Sequence, residues 1–152
     1  MPTIRRADMK DLEEVINLRL AFLREVKPDA GELEPAVLDS TRQYIAEKLP
    51  AGDFLVWLVE EQQQIIGTSG LVFFHRPPTF SCMSELHAYV LNMYTIPERR
   101  GQGVATMLLQ HIIDYVKTTP ASRITLHASE MGRPIYERLG FVASSSEMIL
   151  RL

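Results

Sequence analysis

Residues 92–106 read Asn-Met-Tyr-Thr-Ile-Pro-Glu-Arg-Arg-Gly-Gln-Gly-Val-Ala-Thr, an order that fits a strand, a tight turn and a helix start and little else. Pro97 ends the strand, since proline has no N–H to give a ladder. Small residues at 101, 103 and 105 let a ligand come close to the backbone. The first helical turn leaves its N–H groups unpaired, and the helix dipole places partial positive charge there. Such a corner holds phosphate or pyrophosphate readily, and Arg99 and Arg100 add charge. The same glycines also suit a turn that only packs tightly, so on their own they leave both readings open. Two familiar phosphate loops do not match. No Gly-Lys-Ser/Thr closes the segment, as it would in a nucleoside triphosphatase. The dinucleotide fingerprint wants a small residue at 106, where Thr stands, and an acid on the next strand, 123–128, which has none.

Hydrophobic spacing sets the frame around this segment. Residues 2–6 suit a short strand. Asp8 offers a helix cap, and Leu12, Val15, Ile16, Phe22, Leu23 and Val26 follow at helical spacing, with Arg19 interrupting the stripe. Pro28, Asp29 and Gly31 break the chain, and Pro35 suits the first turn of a second helix that Pro50 ends. Residues 54–60 and 65–74 read as a hairpin about the polar run 61–64, with Gly67 and Gly70 as bulge positions. A long strand is expected over 85–96, a helix over 101–118 and a short strand over 123–128. A short helix then ends at Leu139, with Gly140 as its left-handed cap, and 141–152 supply one or two closing strands. This order predicts a single mixed α/β domain over 1–152, with helices on both faces of the sheet.

A chain of 152 residues buries about two-thirds of its unfolded surface. With 46% hydrophobic and 23% charged residues, disorder is excluded. The net charge of −3 argues against a general nucleic-acid binder, which needs a basic face. No apolar run approaches the ~20 residues that span a bilayer, and the N-terminus lacks the apolar core of a secretory signal. Cys82 is the one cysteine, and His75, His87, His111 and His127 lack metal-ligand spacing. The expectation is a soluble cytoplasmic protein with no metal and neither a nucleic-acid nor a membrane partner.

The glycine segment resembles the acyl-CoA loop of the GCN5-related N-acetyltransferases, the GNAT family. Their pattern Arg/Gln-x-x-Gly-x-Gly/Ala is matched by Arg100, Gly103 and Ala105, with Pro97 shortly before. Residues 134–141, Pro-Ile-Tyr-Glu-Arg-Leu-Gly-Phe, are similar to the family's second signature, a helix carrying a tyrosine followed by Leu-Gly-Phe. The resemblance covers nearly the whole chain and is specific over 92–141. It implies the acyl-CoA N-acyltransferase fold, a mostly antiparallel mixed sheet splayed between its fourth and fifth strands. The pantetheine arm of acetyl-CoA would enter that gap and bond the backbone around Met93, Tyr94 and Thr95. Gly101, Gln102, Gly103, Val104, Ala105 and Thr106 would hold the pyrophosphate, beside Arg99 and Arg100. Seven residues before its tyrosine the family often has Asn on the pantetheine arm. Here that position is Ser129, shorter, able to reach the cofactor through water or simply to cap the helix.

Transfer of an acetyl group from a thioester to an amine poses two proton problems. A lysine-like ammonium, of pKa near ~10.4, must lose a proton, and a thiolate whose thiol has a pKa near ~8.5 gains from a donor. The resemblance places Tyr136 beside the sulfur as that donor; packing under the last strands is the structural alternative. For the base, Glu85 and His87 are two apart on a strand and share a face, although a bulge would scramble the alternation. Ordered water serves instead in many family members. Asn92 and Tyr94 are placed to orient water or acceptor, and a backbone N–H, assigned to Tyr94, would polarise the thioester carbonyl. Cys82 has no fixed base near it in sequence and is not expected to accept the acyl group.

The acceptor is expected to be a small-molecule or peptide amine. The loop after the first helix holds Glu25, Asp29, Glu32 and Glu34, a rim that would steer a cationic amine, though charge-rich loops are also simply solvated. Two alternatives stand beside the enzyme: a non-catalytic acyl-CoA-binding sensor or interaction module, and a nucleotide-binding fold. The alternation Met148, Leu150, Leu152 permits edge pairing in a homodimer.

Overall fold

The computed structural model describes residues 1–144 and 146–152. The elements in chain order are β1 (Thr3–Arg6), α1 (Leu12–Val26), α2 (Glu34–Ala51), β2 (Leu55–Glu61), β3 (Gln64–His75) and β4 (Leu86–Thr95). They continue with α3 (Val104–Lys117), β5 (Arg123–Leu126) and α4 (Arg133–Arg138). Short 3-10 turns precede α1, α2 and the glycine segment. Asp8 accepts from the Lys10 N–H at 2.8 Å while the Asp11 carboxylate accepts from the Asp8 N–H at 2.9 Å, a capping box on the 3-10 turn Met9–Asp11 that leads into α1. Pro50 sits inside the last turn of α2 rather than after it, and Gly52, at φ +78°, caps the end.

The strands lie in the order β1-β2-β3-β4-β5. The first four pair antiparallel, and β4 pairs with β5 in parallel over His87–Val90 against Arg123–Leu126. Beyond Val90, β4 runs on to Thr95 with no partner on that side. Helices α1 and α2 cover one face through Ile16, Leu20 and Ile45, packed on Phe54, Val56 and Leu58. Helix α3 covers the other through Leu108, Leu109 and Ile112, packed on Leu55, Trp57 and Ile66. Among the described residues, no helix is long and apolar enough to cross a membrane.

The two glycines of β3 act differently. Ile66 is the extra residue of a bulge opposite Val59–Glu60, next to Gly67 as the sequence suggested. At Gly70 the extra residue belongs to β4 instead: Asn92 takes φ +57° and shifts the register between Thr68 and Gly70. Both glycines admit close neighbours. A Cβ on Gly70 would lie 2.6 Å from the Phe54 ring, and one on Gly67 would lie 2.7 Å from Val104 Cγ1, in the first turn of α3. Gly67→Ala is therefore expected to destabilise by about 1–3 kcal/mol through overpacking. Val104→Ala in the same chain should recover part of that loss, because it removes the clashing methyl. Urea unfolding of the two single variants and the double checks this, and strictly additive losses would contradict it.

The closing strands expected over 141–152 do not form among the described residues. Val142, Met148, Ile149, Leu150 and Leu152 are all exposed. A period-2 pattern makes a strand only where an edge accepts it, and β5 offers four residues of edge to a serine-rich approach.

Candidate active site

The gap beyond Val90 opens into a cleft of about 670 Å³ lined by β4, the glycine segment, the first turn of α3, and α4. Its backbone groups can be assigned from the ladder. Ile96 donates its N–H to the Ile66 carbonyl at 3.1 Å, so alternate residues of this stretch, Tyr94 and Ile96, face β3. The N–H and C=O groups of Met93 and Thr95 face the cleft. The Tyr94 N–H thus belongs to the sheet, and the backbone donor available to a ligand is that of Met93. The Tyr94 side chain is buried against the α1 side, beneath the Arg100 guanidinium at 5.5 Å.

Arg100 fastens the corner. Its Nε donates to the Thr95 carbonyl at 2.9 Å and its Nη2 meets Glu25 Oε1 at 2.5 Å. Arg99 is paired with Glu61, and the Gln102 side chain donates to the Glu98 carbonyl at 3.2 Å. Gly101 and Gly103 take φ +72° and +83°, the left-handed region that favours glycine. A Cβ built on either meets nothing within 4 Å. Helix α3 begins at Val104, later than the sequence suggested, with no side-chain cap and no acid in its first turn. The N–H groups of Val104, Ala105 and Thr106 therefore remain for an anion. An unpaired strand edge beside an uncapped helix N-terminus fits an extended arm ending in a pyrophosphate, which is the shape of CoA.

Tyr136 lines the same cleft from α4, 9% exposed, with its ring edge-on to Phe141 at 6.0 Å. Burial pushes its phenol above the usual range, so it carries its proton at neutral pH. Ser129 fastens the turn before α4: its Oγ accepts from the Gly132 N–H at 3.1 Å. It too lines the cleft.

The other expected residues lie elsewhere. Glu85 precedes β4, is exposed, and faces His75 Nδ1 at 3.6 Å. His87 is buried at the opposite end of β4 from Thr95, with Nε2 3.4 Å from Cys82 Sγ, which also meets Ser122 Oγ at 2.8 Å. Burial, with Arg123 and Arg76 nearby, holds the His87 imidazole below its ordinary range. Cys82 thus has a histidine neighbour that its sequence context did not show, but neither residue lines the cleft. Of the acidic rim, Glu25 is tied to Arg100 and Glu34 to Arg24.

Sequence reasoning missed a chain of side chains at the fork of the gap. The Tyr89 hydroxyl lies 2.6 Å from His127 Nδ1, and His127 Nε2 lies 3.2 Å from Glu147 Oε2. The network assigns the tautomer: Nε2–H donates to the carboxylate and Nδ1 accepts from Tyr89. Tyr89 shares the sheet face of Leu91, turned toward α1 and α2.

These features coincide with known proteins. The chain belongs to the acetyltransferase (GNAT) family, whose model it matches over residues 12–141. It is similar to a predicted acetyltransferase from Clostridium acetobutylicum solved with acetyl-CoA, at 31% identity and a TM-score of 0.88, covering 99% of this chain and 96% of that one. A GCN5-related N-acetyltransferase from Ralstonia eutropha superposes with a TM-score of 0.91 at 29% identity, over 100% and 99% of the two chains. Glucosamine 6-phosphate N-acetyltransferase of Trypanosoma brucei brucei is 25% identical over 150 residues, 98% of this chain and 95% of that one. The match to N-alpha-acetyltransferase 30 of Schizosaccharomyces pombe is 39% over 61 residues, so this chain spans only 41% of that relative.

Proposed function

We propose that the protein transfers the acetyl group of acetyl-CoA directly to a primary amine. The observation that carries this is the edge of β4 beyond Val90, which has no strand partner at Met93 and faces the uncapped start of α3, with a protonated, buried Tyr136 lining the same cleft. When bound, acetyl-CoA supplies an activated acyl thioester. The Met93 and Thr95 backbone orients the arm, and the N–H groups at 104–106 neutralise the pyrophosphate without needing particular side chains. The Met93 N–H donates to the carbonyl oxygen as negative charge develops there. Tyr136 gives its proton to the departing sulfur. On the other side, the amine proton passes through water to the Tyr89 oxygen as the Tyr89 proton moves to His127 Nδ1, with Glu147 stabilising the imidazolium; the three stand at the fork and do not themselves line the cleft.

A cytoplasmic, amine-acetylating enzyme fits this reading, and a sensor does not, because binding alone has no use for a donor aimed into the cleft. Amine-dependent release of free thiol from acetyl-CoA tests it; release that stays at the hydrolytic background with every amine class would refute it. His127→Ala is expected to lower kcat by about 100-fold, as loss of a general base does, while Glu85→Gln stays within twofold of the parent. Steady-state rates of the two variants check the assignment, and the reverse ranking would return the role to Glu85.

A further inference from the structure

Arg19 is the charged residue on the apolar stripe of α1, half-buried, and its one hydrogen-bonding partner is neutral: Nη1 donates to Asn92 Oδ1. Arg5, Arg24, Arg42, Arg99 and Arg100 each face a carboxylate. Among the described residues no carboxylate pairs with Arg19, and burial disfavours its charged form. A guanidinium has five N–H donors, and none of those on Arg19 is sealed away without a partner. They are free to meet a ligand.

What they meet is a second cavity of about 550 Å³ between α1, α2 and β4. Val37, Tyr44, Ile45, Phe54 and Leu91 give it an apolar wall, and Arg19 is its one charged lining residue. The two cavities are consecutive on one strand: Leu91 and Asn92 line this one, Met93 and Tyr94 line the acyl cleft. Neighbouring α-carbons are about 3.8 Å apart. A group held by Arg19 next to Asn92 therefore lies on the side of β4 adjoining the residue that presents its N–H to the acyl cleft.

We propose that this cavity receives the acceptor, and that the acceptor is an amine bearing a carboxylate on the adjacent carbon and an apolar side chain, as in an apolar α-amino acid. The assignment rests on the acetyltransferase reading of the neighbouring cleft. One guanidinium with no second cation beside it matches a monoanion, and its planar fork matches a carboxylate. The apolar wall takes the side chain, and the amine is directed toward the thioester. The partly desolvated cation loses most when the anion is missing, so the site selects against plain amines.

The test compares L-phenylalanine and L-leucine with L-phenylalaninamide and phenethylamine as acceptors, by thiol release. The acids are expected to exceed the anion-free amines by about 10- to 100-fold in kcat/KM, the range for a hydrogen bond to a charged group. Arg19→Gln should erase that preference, raising KM for the acids and lowering it for phenethylamine, with melting temperature and acetyl-CoA affinity unchanged, and Arg19→Lys should recover part of the preference. Calorimetric binding of N-acetyl-L-phenylalanine in the presence of CoA gives a readout free of turnover and should weaken at least about tenfold in Arg19→Gln. Turnover of plain amines with no advantage for the acids overturns the proposal and leaves the acetyltransferase standing. Arg19-dependent binding of the N-acetyl acid without turnover of any amine supports the site and overturns the catalytic reading. Binding that is absent, or indifferent to residue 19, overturns the proposal.

Discussion

Tyr136→Phe should lower kcat by about 100-fold while leaving acetyl-CoA affinity and melting temperature at the parent values. General acids contribute about 10²- to 10⁴-fold, and a thiolate is a good enough leaving group to place this case near the lower end. Structure makes the substitution clean. The phenol makes no hydrogen bond within the protein among the described residues, and the ring, packed on Phe141 and against Gly132, is kept. The pH dependence follows from burial, which raises the phenol. The donor stays protonated beyond the ordinary tyrosine range of about 10, so activity should rise with amine deprotonation and not fall until more alkaline pH. Linkage has the same sign: a proton held more tightly in the folded state stabilises below the unfolded pKa and is lost as pH rises through the folded one. A kcat within twofold of the parent, at full acetyl-CoA occupancy, would remove Tyr136 from the chemistry.

The second large effect is expected from valine at both 101 and 103. Each site has a left-handed backbone, costing an L-residue about 1–2 kcal/mol. Each added Cβ also projects into open space at the phosphate corner rather than against protein. The turn can relieve its strain by rearranging, which moves the 104–106 N–H groups off the ligand. Two sites at that cost correspond to a loss of acetyl-CoA affinity on the order of 100-fold. Calorimetric titration checks this, with Tyr136→Phe as the control that keeps binding and loses turnover. Unchanged affinity would place the pyrophosphate elsewhere.

The corner proposed for the cofactor was legible because it is local in sequence. A strand, a proline, two glycines and a helix start define the corner within fifteen residues, and backbone geometry fixes what it can hold. The parity of β4 was less accessible. Only the pairing of Ile96 with Ile66 shows that Met93 and Thr95, and not Tyr94, face the gap. The base assignment drew on alternation from residue 85, but the strand starts at Leu86 and neither Glu85 nor His87 lines the cleft. Tyr89, His127 and Glu147 stand 38 and 20 residues apart, joined only where β4 and β5 part, and no periodicity brings such residues together. Arg19 did leave a trace, as the charge that broke an apolar stripe. Its meaning needed the Asn92 bulge, where an asparagine adopts a left-handed conformation that nothing in the hydrophobic pattern announces.

The most direct measurement is thermal unfolding of the purified protein alone and with saturating acetyl-CoA, CoA, NADH or ATP. A ligand at 100 times its dissociation constant adds about 2.7 kcal/mol, worth about 5–11 °C at this chain length. Stabilisation by acetyl-CoA and CoA, with NADH and ATP without effect, is the predicted result. Stabilisation by NADH or ATP with none from either CoA species would contradict the account at its base, because the cleft between β4 and β5 would then hold a different cofactor.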